Sequence, residues 1–393
     1  MRINGEFIEI ESCQKNKGSN IVCGDNLILY KYKKEGRVIC VLSDGLGSGI
    51  KASVLSTITS SMLVSFSKMH DDIVTAAASI LKTLPKDRTR KISYSTFCIC
   101  DIDCFGNAKV VEYETPSFYL HRNGKFLDIP KTVIPVERDD LQNTVLNISE
   151  FTMKKEDRLI FFSDGVSQSG MGSRTMPFGW ENSREYIADI IKQSPYISAR
   201  DLSYKIVRKA EENDSFILKD DTSCCVVYMR NPRNLLICTG PPYDEKNDAK
   251  LGNIIKEFSG KKVICGGTTA RIVSNETGNQ ISLGIDNLSK DLPPVSYMDG
   301  IDLITEGILT LSRVQSILAG EEKFSKNKES AADMLLKLLN DSDKITFLVG
   351  TRINIAHQDP TLPVELEIRR NVVKKIKRLL EEKWLKDVDI IYI

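Results

Sequence analysis

Apolar positions along this chain follow two different rhythms. Up to about residue 230, short strand-type runs and a few amphipathic helices come in series; beyond Asn231-Pro232-Arg233-Asn234 the runs alternate strand, loop, helix. In the first part, short strands with glycine-rich turns lead to about Cys40. Gly49 to Lys68 then reads as a helix, with Ala52, Leu55, Ile58, Met62 and Phe66 at helical spacing among Ser and Thr. Asp71-Asp72 caps a second helix, Ile73 to Leu84, which Pro85 stops. Strand runs follow at Tyr94 to Ile102, Lys109 to Tyr113, Phe118 to His121 and Phe126 to Ile129. Cys104-Phe105-Gly106-Asn107 and Arg122-Asn123-Gly124-Lys125 are the turns, and Asn-Gly between two such runs signals a hairpin. After Phe151 comes a strand that ends in the chain's second Ser-Asp-Gly, then helices at Asn182 to Gln193 and Ser198 to Asn213, then a strand at Cys224 to Met229.

In the second part, Asn231 to Asn234 is a linker. Strand Asn234 to Cys238, loop Thr239-Gly240-Pro241-Pro242, helix Asp248 to Phe258 and strand Lys262 to Cys265 follow, and Gly266-Gly267-Thr268-Thr269-Ala270-Arg271 opens another helix. Strand Gly300 to Ile304, helix Ala331 to Leu339, strand Lys344 to Val349, a long basic helix from Val364 to Lys386 and strand Val388 to Ile393 complete the pattern. That alternation predicts a separate α/β domain over residues 234–393.

A length of 393 residues agrees with two or three domains, and 41% apolar with 27% charged residues is the profile of an ordinary soluble protein. The net charge of +1 supplies no field for nucleic acid or an anionic membrane. No stretch approaches the ~20 apolar residues of a membrane span, and Met1-Arg2-Ile3-Asn4-Gly5-Glu6 lacks the apolar core of a signal peptide. The expectation is a cytoplasmic chain whose ten cysteines, mostly inside strand runs, are reduced and serve as small buried hydrophobes. Cys98, Cys100 and Cys104 lie close together, but without a CxxC or a nearby His they do not make a zinc site.

The chemistry lies in acids at strand ends. Val41-Leu42-Ser43-Asp44-Gly45-Leu46-Gly47-Ser48-Gly49 and Leu159-Ile160-Phe161-Phe162-Ser163-Asp164-Gly165 each end an apolar strand in Ser-Asp-Gly. Gly24-Asp25 follows Ile21-Val22-Cys23, and Asp220-Asp221 precedes Thr222-Ser223-Cys224-Cys225. A single Asp-Gly is ordinary turn chemistry. The joint pattern gives carboxylates, widely spaced in sequence, that repel one another unless a hard divalent cation sits among them.

Residues 1–230 resemble the metal-dependent type-2C serine/threonine phosphatases, in the bacterial branch of stage II sporulation protein E. The resemblance is carried by Cys23-Gly24-Asp25-Asn26, by Leu42-Ser43-Asp44-Gly45-Leu46-Gly47-Ser48-Gly49, by Arg158 to Val166 and by Lys219-Asp220-Asp221-Thr222-Ser223, in that order and approximate spacing. It implies an α+β fold, an α-β-β-α sandwich of two antiparallel sheets flanked by helices, here followed by a smaller α/β accessory domain. It also implies two divalent cations, Mn²⁺ or Mg²⁺, with Asp44 bridging both, Asp25 and the Gly45 carbonyl on one, and Asp164 and Asp220 on the other. Asp221 is left between a third ion and solvent. Asp44 and Asp164 are the acids central to catalysis, and hydrolysis is an in-line attack by water bridging the two ions, with no side-chain nucleophile. Where eukaryotic members have a His after the first Asp-Gly, this chain has Leu46, and the Arg that grips the phosphate has no closer substitute than Lys15 and Lys17. In the resembled branch the helix after Asp44 shifts and assembles or dismantles the metal site, with Ser48 and Gly49 as hinge; the sequence equally allows an ordinary packed helix.

Other motifs read as structural. Asp101-Ile102-Asp103 has the acid spacing of haloacid-dehalogenase phosphatases, but Phe105 and a following strand favour a surface hairpin. His70, His121 and His357 have no metal-ligand spacing. Gly266, Gly267, Thr268 and Thr269 could seat an anion on free backbone amides, paired with Thr239-Gly240-Pro241-Pro242 on a neighbouring strand end; the plainer reading is a turn with a Thr cap. Lys374-Lys375-Ile376-Lys377-Arg378 reads as a solvated helix face. The expectation is thus a phosphatase acting on phosphoserine or phosphothreonine of a partner protein, with residues 234–393 sensing a small ligand or presenting the substrate, and with homodimer assembly left open. The alternatives are a catalytically weak switch or binding protein, and a small-molecule phosphatase.

Overall fold

The run Val38 to Ser43 is buried at every position, which requires a strand covered on both faces. The computed structural model supplies both covers. It describes residues 2–3, 5–32, 35–69, 72–84, 95–137, 144–283, 295–322, 330–352, 362–384 and 386–393. Asp71, Pro85 and Tyr94, named above as cap, stop and strand start, and His70 and His357, lie outside the described residues.

The chain divides into two compact units, Met1–Asn231 and Pro232–Ile393. The first begins with β1 (Arg2–Ile3), β2 (Glu6–Lys15), β3 (Asp25–Tyr32), β4 (Arg37–Gly45), α1 (Ile50–Lys68), α2 (Ile73–Thr83), β5 (Ser95–Ile102) and β6 (Asn107–Tyr113). It continues with β7 (Tyr119–Arg122), β8 (Lys125–Leu127), β9 (Thr132–Pro135), β10 (Val145–Thr152) and β11 (Arg158–Phe162). Then come α3 (Asp164–Ser167), α4 (Ser183–Gln193), α5 (Ala199–Asn213) and β12 (Thr222–Arg230).

These strands form two six-stranded sheets, ordered β1-β2-β12-β11-β7-β8 and β3-β4-β5-β6-β10-β9. Every pairing in both is antiparallel. Alternate residues of β4 point opposite ways. Val38, Cys40 and Leu42 meet Ile10, Leu159, Phe161, Cys225 and Val227 of the other sheet, while Ile39 and Val41 meet Leu63, Ala77 and Ile80 of α1 and α2. On the far side Ile160, Phe162 and Val226 pack under Ile187 of α4 and Leu202 and Ile206 of α5. The result is four layers, helix-sheet-sheet-helix. The thiols of Cys40, Cys98, Cys100 and Cys225 lie in the core between the two sheets, all free, and burial pushes those of Cys98, Cys100 and Cys225 well up.

Three local readings need correction. The face of α1 differs from the expected one: Ala52, Ser56, Thr59, Ser60, Leu63, Val64 and Ser67 are buried, while Ile58 is 48% exposed and Ile50 and Val54 more so. Strands β9 and β10 were not foreseen, although Leu146 and Ile148 alternate with polar residues along β10. Chain direction also changes sooner than expected after Ser163, because Asp164 already opens the one-turn α3.

The second unit contains β13 (Asn234–Thr239), α6 (Asp248–Glu257), β14 (Lys261–Cys265), α7 (Gly267–Thr277), β15 (Ser282–Leu283), β16 (Ser296–Met298) and β17 (Ile301–Thr305). It ends with α8 (Gly307–Ala319), α9 (Ala331–Asp341), β18 (Lys344–Val349), α10 (Leu362–Lys383) and β19 (Asp387–Tyr392). The sheet order is β15-β16-β17-β14-β13-β18-β19. The five strands from β17 to β19 run parallel, with an antiparallel edge at β15 and β16. Helix α8, absent from the sequence reading, buries Leu311, Val314 and Leu318. Ser330 and Asp333 close a reciprocal cap at the start of α9. The basic run on α10 is a solvated face: Ile376 is buried, and Lys377 and Arg378 pair with Glu381 and Glu382 one turn on. Among the described residues no helix is long and apolar enough to cross a membrane.

Candidate active site

The acids of the sequence pattern stand at strand termini or just beyond them, and the sheet registers decide which ends meet. Ile21 to Cys23 run through a bend and not the expected strand, so Asp25 opens β3 instead of closing a strand. Asp25 and Asp44 are direct cross-strand partners, one at the start of β3 and one near the end of β4. The amide of Gly45 bonds the Gly24 carbonyl at 3.2 Å. In the other sheet Phe162 of β11 faces Cys224 of β12. Asp164, just beyond β11, therefore lies at the same end as Asp220-Asp221, just before β12. Ser163 and Ser223 lock that end: the Ser163 amide bonds the Ser223 carbonyl at 3.0 Å, and the Ser223 amide bonds Ser163 Oγ at 2.9 Å.

Three glycines show how closely the parts approach. A Cβ on Gly24 would stand 2.7 Å from Asp221 Oδ2, which joins the Asp25 end of one sheet to the Asp221 end of the other. A Cβ on Gly45 would stand 2.0 Å from the Ala52 carbonyl oxygen, and one on Gly165 2.2 Å from that of Asp221. The glycines after Asp44 and Asp164 are thus required by close backbone approach and not only by a turn.

The electrostatics follow from this convergence. Burial pushes the Asp25 carboxyl above the ordinary range, and the charges of Asp221 and Asp164 add to the shift. The hydroxyls of Ser223 and Ser163 oppose it, though neither oxygen of Asp25 has a partner at normal hydrogen-bond geometry. Asp44 is pushed up the same way, by burial first and then by Asp25, Asp164 and Asp220. The four acid-bearing ends therefore feel one another's charge.

Individual positions refine the sequence reading. Asp221 is 3% exposed: Oδ1 accepts the Lys17 amide at 2.8 Å and Oδ2 is buried without a partner. The solvent-facing alternative for Asp221 is corrected, since Gly24 and Lys17 close over it. Asp220 is the more open of the pair, its side chain 43% exposed and 3.5 Å from Lys17 Nζ. Asp164 Oδ2 accepts Gln168 Nε2 at 3.1 Å. Lys15 is turned to Glu211 at 2.5 Å, so of the two lysines only Lys17 reaches an acid of the site.

As they stand, no three His, Cys, Asp or Glu side chains among the described residues are arranged to hold one ion. The backbone brings the acids to one place, and their mutual repulsion opposes closing further without a counter-charge. The donor set nevertheless suits a hard divalent cation. It consists of carboxylate and backbone oxygens, with buried oxygens on Asp25 and Asp221 that no protein donor satisfies.

The remaining candidates are placed elsewhere. Asp101 pairs with Arg37 through both oxygens, at 2.9 and 2.6 Å, and Asp103 accepts the amides of Phe105 and Asn107, so this acid pair builds a hairpin. His121 is 4% exposed against Phe126, and burial followed by the Arg158 charge lowers its pKa. Gly266 is the N-cap of α7, with φ of 125° and no side-chain cap, so the expected Thr cap is corrected. Gly267 begins the helix, Thr269 is buried, Thr268 is half-buried, and Thr239 is the register partner of Cys265.

Sequence reasoning did not single out Asp214 or the Ser163–Ser223 lock. Both work through backbone groups distant in sequence, and only the paired Ser before Asp164 and after Asp221 could have hinted at the lock.

No curated protein matches the chain. Among solved structures, the phosphatase domain of the cell fate determinant SpoIIE from Bacillus subtilis, in a crystal form without domain swapping, is 19% identical, with 58% of this chain and 95% of that chain covered and a TM-score of 0.44. A second structure from the same protein, its PP2C phosphatase domain with a fragment of the regulatory domain, is 20% identical over 56% of this chain and 63% of that chain, with a TM-score of 0.47. RsbX in complex with magnesium is 16% identical over 58% and 98%, with a TM-score of 0.41. The family model of stage II sporulation protein E matches residues 34–230. That match takes in half of the chain and includes Asp44, Asp164, Asp220 and Asp221, and the protein belongs to the stage II sporulation protein E family of type-2C phosphatases.

Proposed function

We propose that residues 1–230 are a metal-dependent serine/threonine protein phosphatase, and that residues 234–393 are an accessory domain serving it. The observation that carries the reading is the meeting of Asp25, Asp44, Asp164, Asp220 and Asp221 at one end of two packed sheets, with buried oxygens left for a cation. Asp25, Asp44 and the Gly45 carbonyl on one sheet, and Asp164, Asp220 and Asp221 on the other, are the groups that would hold two divalent cations. Such ions, when bound, activate water and neutralise phosphoryl charge.

The chain's own residues do the rest. Burial and the neighbouring acids raise the proton affinity of Asp25 and Asp44, so a cation would bind there in competition with protons. Ser163 and Ser223 fix the Asp164 end against the Asp221 end. Lys17 brings a positive charge to the rim beside Asp220, where it would meet an anionic substrate. Leu46 offers no proton, so the leaving alkoxide takes its proton from water and not from a neighbouring imidazole.

The test is phosphate release from a phosphoserine or phosphothreonine peptide with added Mn²⁺ or Mg²⁺, beside Asp44→Asn and Asp164→Asn. The expected result is release by the wild type with at least a hundredfold loss in each variant, on the order of 3 kcal/mol of barrier. Equal release by all three proteins, or none by any with metal present, would sink the reading. A strong preference for a small phosphorylated metabolite over phosphopeptides would replace protein by small molecule as substrate.

A further inference from the structure

We propose that Asp214 is a positioning residue that sets the spacing between the Asp164 and Asp220 segments and thereby the affinity of the site for divalent cations. The proposal rests on the cation-site reading above. Asp214 terminates α5 and is 7% exposed. Each of its carboxylate oxygens takes one backbone amide. Oδ1 accepts Gly170 N–H at 2.7 Å, in the turn that follows Asp164, and Oδ2 accepts Lys219 N–H at 2.9 Å, one residue before Asp220. One side chain thus bridges the two acid-bearing segments of the β11–β12 end, and a carboxylate is the group that accepts on both sides.

Neighbouring contacts reinforce the bridge. Lys219 Nζ donates to the Met171 carbonyl at 2.9 Å, a second tie between the same two segments, and Asn213 Nδ2 donates to Ser169 Oγ at 3.0 Å, holding the end of α5 to the Asp164 side. Beyond Asp214 the chain turns through Ser215 and Phe216, both with left-handed backbone, at φ 57° and 65°. Non-glycine residues hold that conformation only where the surroundings impose it. The turn delivers Leu218, whose carbonyl accepts Gly18 N–H at 2.9 Å, and then Asp220-Asp221. A side chain that bonds backbone in both segments acts on the geometry of the acids without touching substrate.

The experiment measures Mn²⁺ binding directly on the full chain, from the paramagnetic resonance signal of free Mn²⁺, together with far-ultraviolet circular dichroism and thermal unfolding. Asp214→Asn keeps the size but turns one acceptor into a donor facing an amide. It is expected to weaken Mn²⁺ binding at least about tenfold with the fold retained. Asn213→Ala removes one tie and should weaken binding less, in the same direction. Ser198→Ala removes the cap at the other end of α5, where Ser198 Oγ accepts Asp201 N–H at 3.0 Å; it should lower the melting temperature without changing Mn²⁺ affinity. Wild-type affinity in a folded Asp214→Asn overturns the proposal, and if Asp214→Asn does not fold, Asn213→Ala decides alone. Absence of Mn²⁺ binding by the wild type overturns the cation-site reading and this proposal with it, whereas binding by the wild type that no α5 variant alters overturns this proposal alone.

Discussion

Single atoms decide much of this site, and Gly165 is the clearest case. Its Cβ would stand 2.2 Å from the Asp221 carbonyl oxygen and 2.7 Å from Thr222 Oγ1, both anchored at the start of β12. Gly165→Ala must therefore move backbone on one side of the acid cluster, an overpacking cost of about 1–3 kcal/mol. Gly267→Ala meets nothing within 4 Å in the first turn of α7. It should be neutral or stabilising by up to about 1 kcal/mol. Thermal unfolding of the two variants checks both signs, and a Gly165→Ala protein as stable as the wild type would remove the close-approach argument. At this scale the sequence was legible where an acid follows an apolar strand and precedes Gly. Asp44 and Asp164 fit that description, whereas Asp25 follows Gly24 and opens β3. Asp221 was legible as a candidate but its direction was not, and Asp214 did not announce itself at all, for a physical reason. Whether Asp221 or Asp220 turns inward depends on Gly24 and Lys17, about 200 residues away. Glu212-Asn213-Asp214-Ser215 looks like any polar helix end until the amides of Gly170 and Lys219 are brought to it.

At the scale of elements, α1 separates what periodicity tells from what it does not. Its bounds were legible, because apolar residues recur through Ile50–Lys68 at helical spacing. Its inner face was not, because the hydroxyl residues recur with the same period. Thr59, Ser60 and Ser67 each donate to the carbonyl four residues back, so their hydroxyls enter the interior satisfied and the small side chains let the helix lie close on β3 and β4. Asn26 Nδ2 also bonds Ser60 Oγ at 2.5 Å, tying β3 to the helix one residue from Asp25. The consequence is a reversal of the usual cost of substitution. Ile58→Gln and Val54→Gln, on the exposed stripe, should change stability by no more than about 0.5 kcal/mol. Leu63→Ala should cost about 2–5 kcal/mol, and Ser60→Leu should destabilise by about 1–3 kcal/mol through overpacking. Urea unfolding of the four proteins checks the order, and a larger loss for Ile58→Gln than for Leu63→Ala would show that α1 packs on its other face.

For the molecule as a whole, a net charge of +1 hides a strongly uneven distribution, because several buried or half-buried acids are gathered at one end of the first unit. That concentration makes stability depend on pH in an unusual direction. The carboxyls of Asp25 and Asp44 are held above their ordinary value of 3.8, chiefly by burial and then by neighbouring acids. A group raised in the folded state gives its full contribution below the unfolded value and loses it as pH rises through the folded value. The metal-free protein should therefore lose stability from about pH 4 upward, through neutrality. Asp44→Asn removes one of the two proton-holding groups and relieves Asp25 of a potential charge. Without metal it should be more stable than the wild type at pH 8, and the two curves should draw together toward pH 4. Divalent cations bind the deprotonated acids, so Mn²⁺ should raise the wild-type melting temperature most at the alkaline end and least near pH 4. At a hundred times the dissociation constant the gain is about 2.7 kcal/mol. Melting curves from pH 4 to 8, with Mn²⁺ and with chelator, test the sign. A metal-free wild type that grows more stable relative to Asp44→Asn as pH rises would mean that the acids are already neutralised within the protein and do not wait for a cation.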